Sequence, residues 1–169
     1  MLWPIIDNLF GLNLEYKNST LAVRQRKEFL TKHNIGICDI VDNCEREKKD
    51  AADLNMKNIK LRNLIKYLSE NPFIDTILFM GGNSKNGPEY LFRGHLKKNG
   101  LQLDLITKES PKIHQFKLEN RTIKTVSLIS PSNAANRSIG ANPVYKKLKE
   151  KNSSMTTLEF RVRQYKRFF

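Results

Sequence analysis

The sequence predicts an α/β domain with a parallel strand near its centre, and three observations lead there. Ile74-Asp75-Thr76-Ile77-Leu78-Phe79-Met80 is a nearly continuous apolar run, as expected of a strand buried on both faces. A helical pattern and two more strand patterns follow it, giving a β-α-β alternation. With 169 residues and 39% apolar content, the chain is long enough for one core and short for two, so a single domain over 1–169 is expected.

Taken in order, Leu2, Trp3, Ile5, Ile6, Leu9 and Phe10 recur at helical spacing and stop at Gly11, a residue suited to the position just past a helix end. Between Leu21 and Lys32, apolar Leu21, Val23, Phe29 and Leu30 alternate with Arg24, Arg26 and Lys27. This predicts an amphipathic helix capped by Ser19 or Thr20. Ile35 to Val41 is short, apolar and β-branched, and reads as a strand leading into the polar stretch 43–53. From Met56 to Leu68, the residues Ile59, Leu61, Leu64, Ile65 and Leu68 form one face of a predicted helix, ended by Asn71-Pro72.

Gly81-Gly82-Asn83 closes the central strand and precedes a helix through Tyr90, Leu91, Phe92 and Leu96. Strands are predicted at 101–106 and 123–129, with the polar stretch 111–121 as an irregular surface connection. A loop of small residues spans 130–138, and Asn142-Pro143 starts a helix through Tyr145 and Leu148. Within 152–169 a basic amphipathic helix begins near Thr156 and sets Leu158, Val162 and Tyr165 among Arg161, Arg163, Lys166 and Arg167.

Lys and Arg number 30 against 17 Asp and Glu, a formal net charge of +13. Such an excess repels itself unless a polyanion offsets it, which makes nucleic acid the first partner to consider; a lysine-rich genome is the plainer source of the same charge. No apolar run approaches the length of a bilayer span and no export signal is visible, so a soluble cytoplasmic protein without membrane contact, and a monomer, is expected. Cys38 and Cys44 lack the partners and spacing of a zinc site and read as reduced, partly buried thiols, with Cys38 facing the core; no metal is expected.

Ligand sites in open α/β sheets lie beyond the carboxyl ends of strands, which singles out Asp39, the turn Gly81-Gly82-Asn83 and the loop 130–138. Taken one at a time, each is read first as an ordinary turn or helix cap. Gly81 and Gly82 lack both a dinucleotide fingerprint and the lysine of a phosphate loop, which weakens a nucleotide hydrolase reading. His33, His95 and His114 are scattered among polar residues and read as surface histidines, so a Ser-His or Cys-His hydrolase finds no support.

Several modest motifs nevertheless occur in a suggestive order: Gly36-Ile37-Cys38-Asp39-Ile40-Val41 with Cys44-Glu45-Arg46, then Ile77-Leu78-Phe79-Met80-Gly81-Gly82, Tyr90-Leu91-Phe92-Arg93 and Ser130-Pro131-Ser132. In that order the chain resembles the uracil-DNA glycosylase superfamily, nearest its hypoxanthine- or deoxyinosine-DNA glycosylase branch, up to about Lys149. The resemblance implies a three-layer α/β/α fold with a mainly parallel central sheet, acting in base-excision repair on duplex DNA. Uracil or hypoxanthine would be flipped out and its glycosidic bond hydrolysed without metal or cofactor.

By the same resemblance Cys38, Asp39, Gly81, Gly82 and Asn83 would line the base pocket, with Asn83 standing in for an Asn that relatives carry on the turn after the central strand. Ser130, Pro131, Ser132 and Asn133 would press on DNA, with Arg137 near a phosphate. Relatives place their Gly-rich first motif, which positions water, just before the aromatic-Trp pair that Leu2-Trp3 matches. The first strand and the catalytic residue are therefore expected ahead of Met1, and a scaffold that binds nucleic acid without catalysis is the alternative. A basic α/β interaction domain is the third class.

Overall fold

The computed structural model describes residues 2–46 and 53–169. In chain order it has helices α1 (Leu2–Phe10) and α2 (Thr20–Lys32), strands β1 (Val41–Arg46) and β2 (Met56–Leu61), helix α3 (Leu64–Glu70), strand β3 (Thr76–Phe79) and helix α4 (Pro88–Lys98). Strands β4 (Asp104–Thr107), β5 (Lys112–Leu118) and β6 (Arg121–Ser127) come next, then helices α5 (Asn136–Ala141), α6 (Pro143–Lys151) and α7 (Thr157–Tyr165). The result is a mixed α/β chain whose larger sheet is partly parallel. It forms two compact units: Met1–Cys38 with Ser132–Phe169, and Asp39–Pro131.

The first unit is helical. Ile5 and Ile6 are buried on α1, which packs against α7. Phe29 of α2 meets the rings of Trp3 and Phe10 at 6.4 and 5.0 Å, edge to face. The caps follow the sequence: Ser19 accepts from the Ala22 amide, and the Asn142 side chain accepts from the Val144 and Tyr145 amides ahead of α6. Thr156 and Glu159 form a reciprocal capping box at the start of α7, satisfying backbone donors that a helix leaves open at its first turn.

In the second unit the sheet order is β3-β6-β5-β4. Leu68, Phe79, Phe92, Leu96, Leu103, Phe116, Leu118 and Ile123 make one core cluster, with α3 and α4 contributing Leu68, Phe92 and Leu96. Only β3 and β6 run parallel; β6/β5 and β5/β4 are antiparallel, which corrects the expected mainly parallel sheet. The cause is β5, which occupies the stretch read as an irregular connection. Its inward residues are His114, Phe116 and Leu118, and a histidine at an inward position breaks the alternation that would have revealed the strand.

Two other elements also differ from expectation. The long helix predicted over 56–68 is β2 followed by the shorter α3, because Ile59 and Leu61 lie at strand spacing opposite β1 and Asn63 starts a new helix by capping the Lys66 amide. The strand predicted at 35–41 instead begins at Val41 and forms a hairpin with β2. Among the described residues, no helix is long and apolar enough to cross a membrane.

Candidate functional site

Because β3 and β6 are parallel neighbours, their carboxyl ends lie side by side, with Phe79 opposite Ser127 and the Leu128 amide donating to the Phe79 carbonyl at 2.9 Å. The residues beyond stay close. A Cβ placed on Gly81, where φ is +156°, would lie 3.2 Å from Pro88 Cδ and 3.9 Å from Ser130 Cβ. Two segments singled out from sequence, the turn after β3 and the start of the loop after β6, therefore meet at Gly81 and Ser130. Gly82 and Asn83 are exposed, while Ser130 and Pro131 are half-buried.

The turn is held from within by residues that drew no attention in the sequence. The Asn86 amide, 9% exposed, donates to the Asp53 and Met56 carbonyls at 3.0 and 3.2 Å. The Gly87 amide donates to the Ser84 carbonyl at 2.8 Å, and a Cβ at Gly87 would come within 2.7 Å of the Gly82 carbonyl oxygen. Asn86 is thus the asparagine that fixes the turn, leaving Asn83 on its outer surface.

At the start of α4, a charged cluster sits between that helix and the sheet. Glu89 is 1% exposed; its Oε1 accepts from Arg93 Nη2 at 2.9 Å and its Oε2 from Ser127 Oγ at 2.7 Å. Burial opposes the charge of Glu89, but the hydrogen bonds from Ser127 and Arg93 and the charges nearby outweigh it, holding the carboxyl below its ordinary range. Arg93 Nη2 also lies 3.1 Å from His114 Nε2. A guanidinium can only donate, so Nε2 accepts and His114 is neutral with its proton on Nδ1.

Burial, opposed by Glu89 and reinforced by Arg93 and Lys112, sets the His114 pKa below the ordinary value. The 3.8 Å approach of His114 to Glu89 is accordingly no ion pair at neutral pH. At 3% exposure, His114 is not the surface histidine expected, whereas His33 is exposed, its ring tilted against that of Phe29 with centroids 4.5 Å apart. The i, i+4 spacing of Glu89 and Arg93 was the available sequence signal for this cluster.

In the helical unit, Ser132, Asn133 and Arg137 are exposed along a segment that turns through a short 3-10 stretch, Asn133–Ala135, into α5. Beneath it Arg161 of α7 is fully buried. Its Nη2 donates to the Ser132 carbonyl and to Asn136 Oδ1, both at 2.9 Å, and its Nη1 to the Thr157 carbonyl at 3.3 Å. From sequence Arg161 was one of several cations around a basic helix; only the fold reveals that it faces inward.

Cys38 and Asp39 are both exposed, so the expected core-facing placement of Cys38 is corrected. They precede β1 instead of following a strand, and the chain passes between its two units at this pair. No family model, curated protein or solved structure matches the chain, so the glycosylase resemblance rests on the order of its motifs.

Proposed function

We propose that this chain handles DNA as a glycosylase-type protein, gripping a duplex with the segments that follow β3 and β6 and excising a deaminated base, uracil or hypoxanthine, in base-excision repair. The observation that carries the reading is the meeting of Gly81 with Ser130 at the carboxyl ends of the one parallel strand pair of this sheet. Neighbouring parallel strand ends are where α/β sheets present ligand-binding loops; Gly81 is buried against Pro88 and Ser130 and lets the two segments meet, while the exposed Gly82 beside it leaves room for a planar base or a phosphate to approach the backbone. The net charge of +13 supplies the attraction for a polyanion and offsets the cost of extruding a base from its stack.

A second reading, DNA binding without excision, is favoured by Glu89. This carboxylate opens α4 just past the turn, yet it is buried and engaged by Arg93 and Ser127, so it is not free to activate water. Incubation with end-labelled duplexes containing uracil or hypoxanthine, followed by alkaline cleavage of abasic sites, separates the two. Strand cleavage supports excision; salt-sensitive binding without cleavage supports the second reading. Absence of both refutes the proposal.

A further inference from the structure

We infer that Arg161 is a positioning residue for DNA binding: from inside the helical unit it fixes the 132–136 segment so that Ser132, Asn133 and Arg137 are presented in one geometry. The inference rests on the reading of that segment as DNA-facing.

Three features support it. Arg161 has no exposed surface, so it contacts no duplex itself. Its Nη2 reaches two points four residues apart on the same segment, the Ser132 carbonyl and Asn136 Oδ1, while Nη1 donates to the Thr157 carbonyl of its own helix. One nitrogen thereby ties the start of the segment to the first residue of α5, and a lysine, whose ammonium ends one bond short of Nη2 and which has no second nitrogen for Thr157, cannot hold all three acceptors. The segment carries its own short bonds as well: the Ser132 carbonyl also accepts from the Ala135 amide at 3.2 Å, and Ser138 Oγ donates to the Ala135 carbonyl at 2.8 Å. Its two ends are therefore held while Asn133, Ala134 and Arg137 stay exposed.

A segment ordered before binding does not lose that conformational freedom when DNA arrives, so the clamp raises affinity without touching the ligand.

The test compares Arg161→Met, Arg161→Lys, Asn136→Ala and Arg137→Ala in the full chain. Backbone hydrogen exchange over 132–137 and duplex affinity at several salt concentrations are both measured. Exchange should rise in the Arg161 and Asn136 variants, with affinity falling on the order of tenfold and the slope of log affinity against log salt unchanged, because no phosphate contact is lost. Arg161→Lys should share the defect of Arg161→Met, since it keeps the charge but loses the reach of Nη2 and the Nη1 bond to Thr157.

Arg137→Ala should instead reduce the salt slope by about one. Should Arg161→Met fail to fold, Asn136→Ala, which removes one acceptor from the clamp, reads the same quantity. Unchanged exchange in Asn136→Ala overturns the clamp, as does full rescue by Arg161→Lys; raised exchange with unchanged affinity in a chain whose Arg137→Ala variant binds more weakly, or a reduced salt slope in Arg161→Met, overturns its positioning role in binding. If Asn133→Ala combined with Arg137→Ala leaves affinity untouched while exchange still rises in Arg161→Met, the DNA-facing reading has failed, not the clamp.

Discussion

Replacing Arg93 by methionine should destabilise the sheet unit more at neutral pH than at acid pH. The variant keeps most of the stem's packing and removes the guanidinium, leaving Ser127 as the remaining donor to Glu89 among the described residues, in a site where the Glu89 side chain is 2% exposed. Two unit charges at contact distance interact by about 4 kcal/mol in a surface-like dielectric, and stranding one buried charge costs about 3–5 kcal/mol. The Arg93 side chain is 39% exposed, so solvent already screens part of the attraction, and a loss of about 2–3 kcal/mol is expected at pH 7.

The loss should shrink as pH falls, because without its cation the buried Glu89 takes up a proton more readily. Glu89→Gln should cost less, about 1–2 kcal/mol, since the stranded group is then Arg93, which can turn towards water. Native-state hydrogen exchange at the β5 and β6 amides reports on this unit alone and is the assay of choice. A loss under about 1 kcal/mol at pH 7, or the same loss at pH 5, would refute the reasoning.

Wild-type stability should also fall on acidification in two stages, followed by the same exchange measurement. Burial holds His114 and His95 below their ordinary 6.5, so the unfolded chain takes up protons first and stability declines from about pH 6.5 downward; His114→Gln should reduce that stage and leave the His95 share. Glu89 is held below its ordinary 4.5, so its contribution is intact above that value and disappears as pH falls through the lower folded one.

The Thr125 hydroxyl is buried without a hydrogen-bond partner among the described residues, so Thr125→Val should leave stability unchanged or raise it by up to about 1 kcal/mol in urea titrations; a loss of that size would mean the hydroxyl is satisfied. Gly87→Ala should cost about 1–3 kcal/mol, because the new methyl would press on the Gly82 carbonyl, and the exchange of the 82–87 amides should rise with it. Asn142→Ala should lower the thermal midpoint through loss of the α6 cap, by an amount corresponding to about 1 kcal/mol.

Residue order alone was enough for the elements whose signals are local. Periodic apolar residues and side-chain caps placed α1, α2, α4 and α6, and an unbroken apolar run placed β3, because helix and buried-strand patterns depend on neighbours a few residues apart. The candidate turn at Gly81–Asn83 was legible for the same reason. The partners of β5 and β6, the burial of His114 and Glu89, and the inward face of Arg161 were decided only by the tertiary structure.

Each of these depends on a contact between residues far apart in the chain: Glu89 with Ser127, His114 with Arg93, and Arg161 with Ser132. A charged side chain looks exposed in a sequence until its partner is known, since burying a charge is tolerable only when distant donors or acceptors converge on it. The basic composition was therefore visible from the start, whereas the sorting of its cations into those facing solvent and those, Arg121 and Arg161 among them, that hold a connecting segment from within came from the fold.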